Sequence, residues 1–96
     1  IYLQKIAGAP PGIVLISCCD KIHNLRSMAA DYYLLGSEIW SAYSLPPAQT
    51  IANYRALEKK YAERLGNHRI IAILRQALDT VEKIYQSSPP SSENSE

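Results

Sequence analysis

The sequence predicts an all-α fold, a small bundle of three or four helices. Apolar residues recur at spacings of three and four in several segments. The breaks between those segments carry proline or glycine. No run alternates with the period of two that a half-buried strand requires. With 96 residues, 47% hydrophobic and 20% charged, the chain is bounded to one small globular domain. Such a domain cannot enclose a deep private cleft, so any active site is shallow or shared.

Residues 1–7 read as the last turns of a helix that Gly8 ends, and Pro10-Pro11-Gly12 resets the chain. The position before a proline avoids the helical region, whereas a proline suits the first helical turn. A long helix is expected over 13–35, stopped or kinked at Gly36. Ser37 is a cap candidate for a short helix holding Ile39, Trp40 and Tyr43, which Pro46-Pro47 ends. Ile51, Tyr54, Leu57, Tyr61 and Leu65 mark the next amphipathic helix, closed by Gly66-Asn67. Ile70, Leu74, Ala77, Leu78, Val81 and Tyr85 mark the last, with Arg69, Arg75, Gln76, Asp79, Glu82 and Lys83 mostly on its wet side. The expected core is Leu15, Ile22, Leu25, Ile39, Trp40, Tyr54, Leu57, Tyr61, Leu74, Leu78 and Val81. The domain spans 1–86. Residues 87–96, rich in serine and proline and without a large apolar side chain, read as a disordered tail.

Ten Lys plus Arg against nine Asp plus Glu give a net charge of +1. No global field draws in nucleic acid or an anionic membrane, and no basic recognition helix is apparent. Lys59, Lys60 and Arg64 interleave with Glu58 and Glu63 as a solvated helix face. The two cysteines are neighbours, Cys18 and Cys19. A disulfide framework needs separated partners, so reduced thiols on the buried side of the long helix, in a cytoplasmic protein, are expected. No apolar run approaches the roughly 18 residues of a membrane span, and the first residues do not form a signal peptide. The chain opens in mid-pattern without Met, as an internal segment would.

Chemistry concentrates on the long helix. Successive helical residues turn about 100°, so Asp20, His23, Asn24, Ser27 and Asp31 fall on one polar stripe. Leu15, Cys18, Ile22, Leu25, Ala29 and Tyr33 are read as the core face opposite, with Ile16 and Met28 bordering the stripe. A wet helix face is normally built from Lys and Glu. Short carboxylate, amide, hydroxyl and imidazole groups are poor helix formers, and they suit defined geometry. On periodicity alone, hydrogen-bonded structural residues are the simpler reading.

The string Ile13-Val14-Leu15-Ile16-Ser17-Cys18-Cys19-Asp20-Lys21-Ile22-His23-Asn24-Leu25-Arg26-Ser27 closely resembles the late signature of HD-domain metal-dependent phosphohydrolases, in which an apolar stretch leads into Asp-Lys/Arg-Leu-His-Asn-x-Arg. Asp31-Tyr32-Tyr33-Leu34-Leu35-Gly36-Ser37-Glu38-Ile39-Trp40 and Tyr54-Arg55-Ala56-Leu57 look like the continuation in stand-alone members near the guanosine tetraphosphate hydrolases. The likeness covers residues 13 to about 65. It implies that Asp20 is the last ligand of a divalent metal, manganese or another transition ion, which polarises a phosphoryl oxygen and acidifies bound water. It also implies that Asn24 and Ser27 contact a nucleotide substrate. His23 would be a supporting hydrogen-bond partner and Arg26, projecting from a different side, a weaker phosphate candidate, with a carboxylate on a neighbouring helix as its equal alternative partner. Tyr54 and Arg55 match a pair near the pocket mouth, although core packing is the better reading of Tyr54.

The chain departs from that family in its histidines. Only His23 and His68 are present, and no His-Asp dipeptide occurs, so three of the four family ligands are missing. His68, beside a helix start, is expected on the surface rather than in a metal site. A single carboxylate does not hold a transition ion against water. The chain therefore reads as the C-terminal half of an HD domain, inactive alone and without bound metal. It would associate as a homo-oligomer or with a complementing N-terminal half, and take a nucleotide only once the site is completed. The competing reading is a non-catalytic helical interaction or structural module that self-associates through the face left uncovered.

Overall fold

The computed structural model describes residues 2–42 and 46–87 of the chain. The fold is all-α: helices α1 (Tyr2–Gly8), α2 (Pro11–Leu35), α3 (Pro47–Leu65) and α4 (Arg69–Ser87), with a 3₁₀ segment, Gly36–Ala42, between α2 and α3. There is no strand among the described residues. The expectations for Tyr43 and for 88–96 lie outside the described residues, whereas Ser87, expected to open the tail, is the last residue of α4.

Among the described residues, prolines open helices rather than end them. Pro11 and Pro47 occupy first-turn positions of α2 and α3, where the missing N–H costs nothing and the fixed φ favours helix. Hence α2 begins two residues, and α3 four residues, before their first periodic apolar positions. Glycine ends both helices. Gly36 and Gly66 take φ values of 64° and 62°, a left-handed conformation open to residues without a Cβ. Their N–H groups return to Tyr32 O and Ala62 O. The short element after Gly36 is 3₁₀ rather than α, and carries Ile39 and Trp40 into the core.

The core joins Val14, Cys18, Ile22, Leu25 and Met28 of α2 to Ile70, Ile71, Leu74, Leu78 and Val81 of α4. Ile51 and Tyr61 of α3 and Ile6 of α1 complete it. Leu15, Tyr54 and Leu57, expected inside, are half-buried against it. One end closes with aromatics: the Trp40 ring meets Tyr85 edge-on at 5.9 Å and lies 6.5 Å from Tyr32.

The core face of α2 is rotated by roughly 45° from the expected one, at about 100° per residue. Met28 is buried, whereas Tyr33 is 79% exposed and Cys19 is exposed beside a buried Cys18. The cause is packing on a second flank. Tyr61 of α3 reaches Ser17, where the two hydroxyls share a hydrogen bond of 2.6 Å, and Trp40 packs on Tyr32. These contacts pull the buried arc toward Ser17 and Met28. The Leu15–Cys19–Arg26 flank is turned outward as a result.

Polar side chains tie the remaining elements together. The Arg64 guanidinium donates to the carbonyls of Ile6, Ala7 (3.2 Å) and Ala9 (2.7 Å), capping the carbonyl end of α1 from α3. Arg55 of α3 donates to Glu58 (3.0 Å), Asp79 (2.7 Å) and Glu82 (2.6 Å), and Arg75 of α4 reaches back to Glu58. The bundle is long and thin, 48 × 24 × 16 Å across its Cα atoms. A body one to two helices deep, given a helix diameter of about 10–12 Å, leaves α2 covered on one side only.

Candidate functional site

The outer face of α2 lies nearly opposite its buried face. Asp20, His23, Asn24, Ser27 and Asp31 all reach solvent there, with the Asp20 side chain 60% exposed. The stripe does not end in charge. Ile13 and Ile16 continue it toward the helix start, and Leu34 and Leu35 toward the end. All four are exposed, Ile16 at 67% and Leu34 at 82%. Spacings of three and four keep these positions on one side of the helix. The face is thus an island of short polar groups bracketed by large apolar ones. Solvent-facing helices ordinarily carry the reverse pattern, and a helix apolar on all sides belongs in an interior.

Within the island, Asp20 Oδ2 accepts from Lys21 Nζ at 3.2 Å. Asn24 and Ser27 lie one and two turns further along the same side. A divalent transition ion requires several deprotonated donors converging on one point. Among the described residues, no group of three His, Cys, Asp or Glu side chains is placed to hold a metal. The donors of this chain do not by themselves fit the ion that the motif implies, and no chemical step through it follows from them.

The other sequence candidates separate. Tyr54 is half-buried against the core. Arg55 is committed to three carboxylates, with Asp79 and then Glu82 contributing most to holding its proton tighter than usual. His23, at the edge of the island, and Arg26 lie on the side of α2 toward α4. There they line a groove of about 530 Å³ together with Cys19, His68 and Arg69, walled by apolar side chains of both helices. His68 Nδ1 accepts from the Ile70 N–H at 3.1 Å, capping the start of α4. Sequence reasoning placed His68 on the surface and did not bring it beside His23. The parallel run of α2 and α4 does so across 45 positions, and no local spacing signals it. Burial, and then its neighbour Cys19, push the thiol of the buried Cys18 up to about 11. That is the setting of an inert thiol.

No family model, curated protein or solved structure matches the chain. No helix among the described residues is long and apolar enough to cross a membrane.

Proposed function

We propose that this chain is the C-terminal portion of an HD-type metal-dependent phosphohydrolase, acting on a nucleotide. In this reading Asp20 is one ligand of a divalent metal, manganese by family resemblance. Asn24 and Ser27 are the substrate contacts one and two turns along, and His23 is a hydrogen-bond support. The missing His and His-Asp ligands come from a further segment or another polypeptide. The observation that carries the reading is the outer face of α2: the Asp-Lys-Ile-His-Asn-Leu-Arg stretch presents its short polar groups on an uncovered side, with Ile13, Ile16, Leu34 and Leu35 above and below. A partner seated on those four residues would bury the island at its centre. Burial of that kind turns an exposed carboxylate into a usable ligand, because charge–charge terms strengthen as water leaves.

The test is made in the polypeptide that contains this sequence together with the missing motifs. Asp20→Ala is expected to lower manganese-dependent release of pyrophosphate from guanosine tetraphosphate by about 1000-fold or more, since the metal supplies several kcal/mol of charge stabilisation. Asn24→Ala and Ser27→Ala should act mainly through KM. Full activity in Asp20→Ala would reject the assignment. The 96-residue chain alone should be inactive.

A second reading, a non-catalytic module that self-associates, is favoured by the Asp20–Lys21 ion pair, which leaves the carboxylate satisfied as it stands. It is distinguished by sedimentation. A homo-oligomer that Leu34→Ser dissociates, combined with an Asp20→Ala variant of unchanged activity in the longer polypeptide, selects this reading.

A further inference from the structure

The structure assigns a second binding site, independent of the metal reading, to the groove between α2 and the start of α4. We infer that it takes a phosphorylated small molecule with an apolar or aromatic body.

The assignment starts from how the five arginines of the chain are employed. Arg55 and Arg75 are held by carboxylates, and Arg64 by backbone carbonyls. Arg26 and Arg69 have no such partner among the described residues, and both line this one groove. They come from different helices, 43 positions apart, so their convergence is a product of the fold. His23 and His68 stand in the same lining, and no carboxylate does.

Two exposed arginines lining one groove with no carboxylate in that lining leave a local excess of positive charge. A bound anion offsets it, and guanidinium forks match phosphoryl oxygens in geometry as well as charge. His68 strengthens the preference. With its Nδ1 occupied by the Ile70 N–H, the neutral ring carries its proton on Nε2 and offers a further donor. The first turn of α4 holds no acidic side chain, so the positive end of its dipole is uncompensated on this side.

The rest of the wall is apolar, formed by Leu15 and Ile22 of α2 with Ile70 and Ile73 of α4. An inorganic ion would leave that wall wet. The volume, about 530 Å³, falls in the range of small-molecule sites, where a few convergent polar groups orient a largely apolar contact. A phosphate ester of an aromatic or heterocyclic body uses both halves, its dianion between Arg26 and Arg69 and its ring against Ile22 and Ile73. The groove lies roughly 100° round α2 from Asp20, by the helical turn per residue. Occupancy therefore requires neither the metal nor the missing motifs.

The experiment uses the 96-residue chain and 1-naphthyl phosphate, with 1-naphthol, 1-naphthoate and inorganic phosphate as partial probes, followed by calorimetry and by amide shifts of Ile70 and Ile73. The whole probe should bind at least about tenfold tighter than any partial one. Arg26→Ala and Arg69→Ala should each weaken it about tenfold, as loss of a charge-assisted hydrogen bond implies. Both residues are exposed, so the variants should fold, as circular dichroism can verify. Lys83→Ala removes the same charge outside the groove and should leave affinity within twofold. The assignment is overturned if 1-naphthyl phosphate shows no binding below about 5 mM, if Lys83→Ala weakens it as much as Arg69→Ala, or if 1-naphthoate binds equally well.

Discussion

Helix α4 has two flanks, and they are treated in opposite ways. Toward α3, Arg75, Asp79 and Glu82 join Arg55 and Glu58 in a closed set of ion pairs. Toward α2, Arg69 and Arg26 line one open groove that has no carboxylate in its lining. The apolar ridge between the flanks, Leu74, Leu78 and Val81, is buried throughout. Stability comes from that ridge, the α3 flank orients the packing, and the α2 flank is left free for a ligand. The same division recurs on α2, whose inner side is core and whose outer side is an uncovered polar island.

The contrast is tested most severely at the ridge. Leu78 has no exposed surface, and Leu78→Ala should cost about 3 kcal/mol through lost transfer energy and a residual cavity. A domain of this size has a total stability of roughly 5–10 kcal/mol, so much of it would disappear. Ile16→Ala removes a comparable apolar side chain from the outer face of α2. It should change the stability of the monomeric chain by less than about 0.5 kcal/mol. Urea denaturation of both variants at low concentration measures the difference; equal losses would mean that Ile16 is covered by something the single chain does not show.

How far these regions were legible in the sequence follows from what each depends on. The four helices follow from local spacing and from Gly36 and Gly66, whose positive φ is a backbone necessity. The ridge on α4 was readable because that helix is sharply two-faced. Helix α2 is apolar on nearly every side, so its pattern could not fix which arc is buried. Contacts with Tyr61 and Trp40, remote in sequence, set that rotation, and with it the exposure of Tyr33 and Cys19 and the burial of Met28. The polar island of Asp20, Asn24 and Ser27 was visible as a stripe, since 3.6-residue periodicity is local. The groove was not, because Arg26 and Arg69 come to line one space only once α4 is laid alongside α2. Pro47 was read as ending the short segment before it, whereas it opens α3: a proline breaks a helix it follows and suits one it begins, and only the chain direction after Pro47 tells which.

A pH titration examines the ridge from the α2 side. Burial, and then Cys19, push the Cys18 thiol from 9.0 up to about 11. The fold therefore favours the protonated thiol. Its contribution is fully present below the ordinary thiol range and is lost as pH rises from about 9 through 11. Comparing the native chain with Cys18→Ala between pH 8 and pH 11 cancels the titration of tyrosines and lysines common to both. The advantage of the native chain should shrink by on the order of 2 kcal/mol over that interval. A constant difference would mean that the thiol is not desolvated and that the α2–α4 contact is looser than its packing implies.

The smallest effect separates the two flanks of α4 directly. Arg55→Ala removes the shared donor of Glu58, Asp79 and Glu82. These pairs are partly open to solvent, Asp79 most and Glu58 least, each contributing a fraction of a kcal/mol, so the loss should be about 1 kcal/mol for the network. Because the pairs are open to ions, the loss should fall by roughly half in 1 M salt, where the screening length is about 3 Å. Arg69→Ala, on the other flank, removes one of two cations that line the same groove, and in the absence of ligand it should be neutral or slightly stabilising. In 1 M salt even that small gain should vanish. Opposite signs for arginine deletions bearing on the two flanks of α4, converging at high salt, identify which flank holds the fold and which waits for an anion; a loss at Arg69 as large as that at Arg55 would reveal a partner for Arg69 and close the groove as a site.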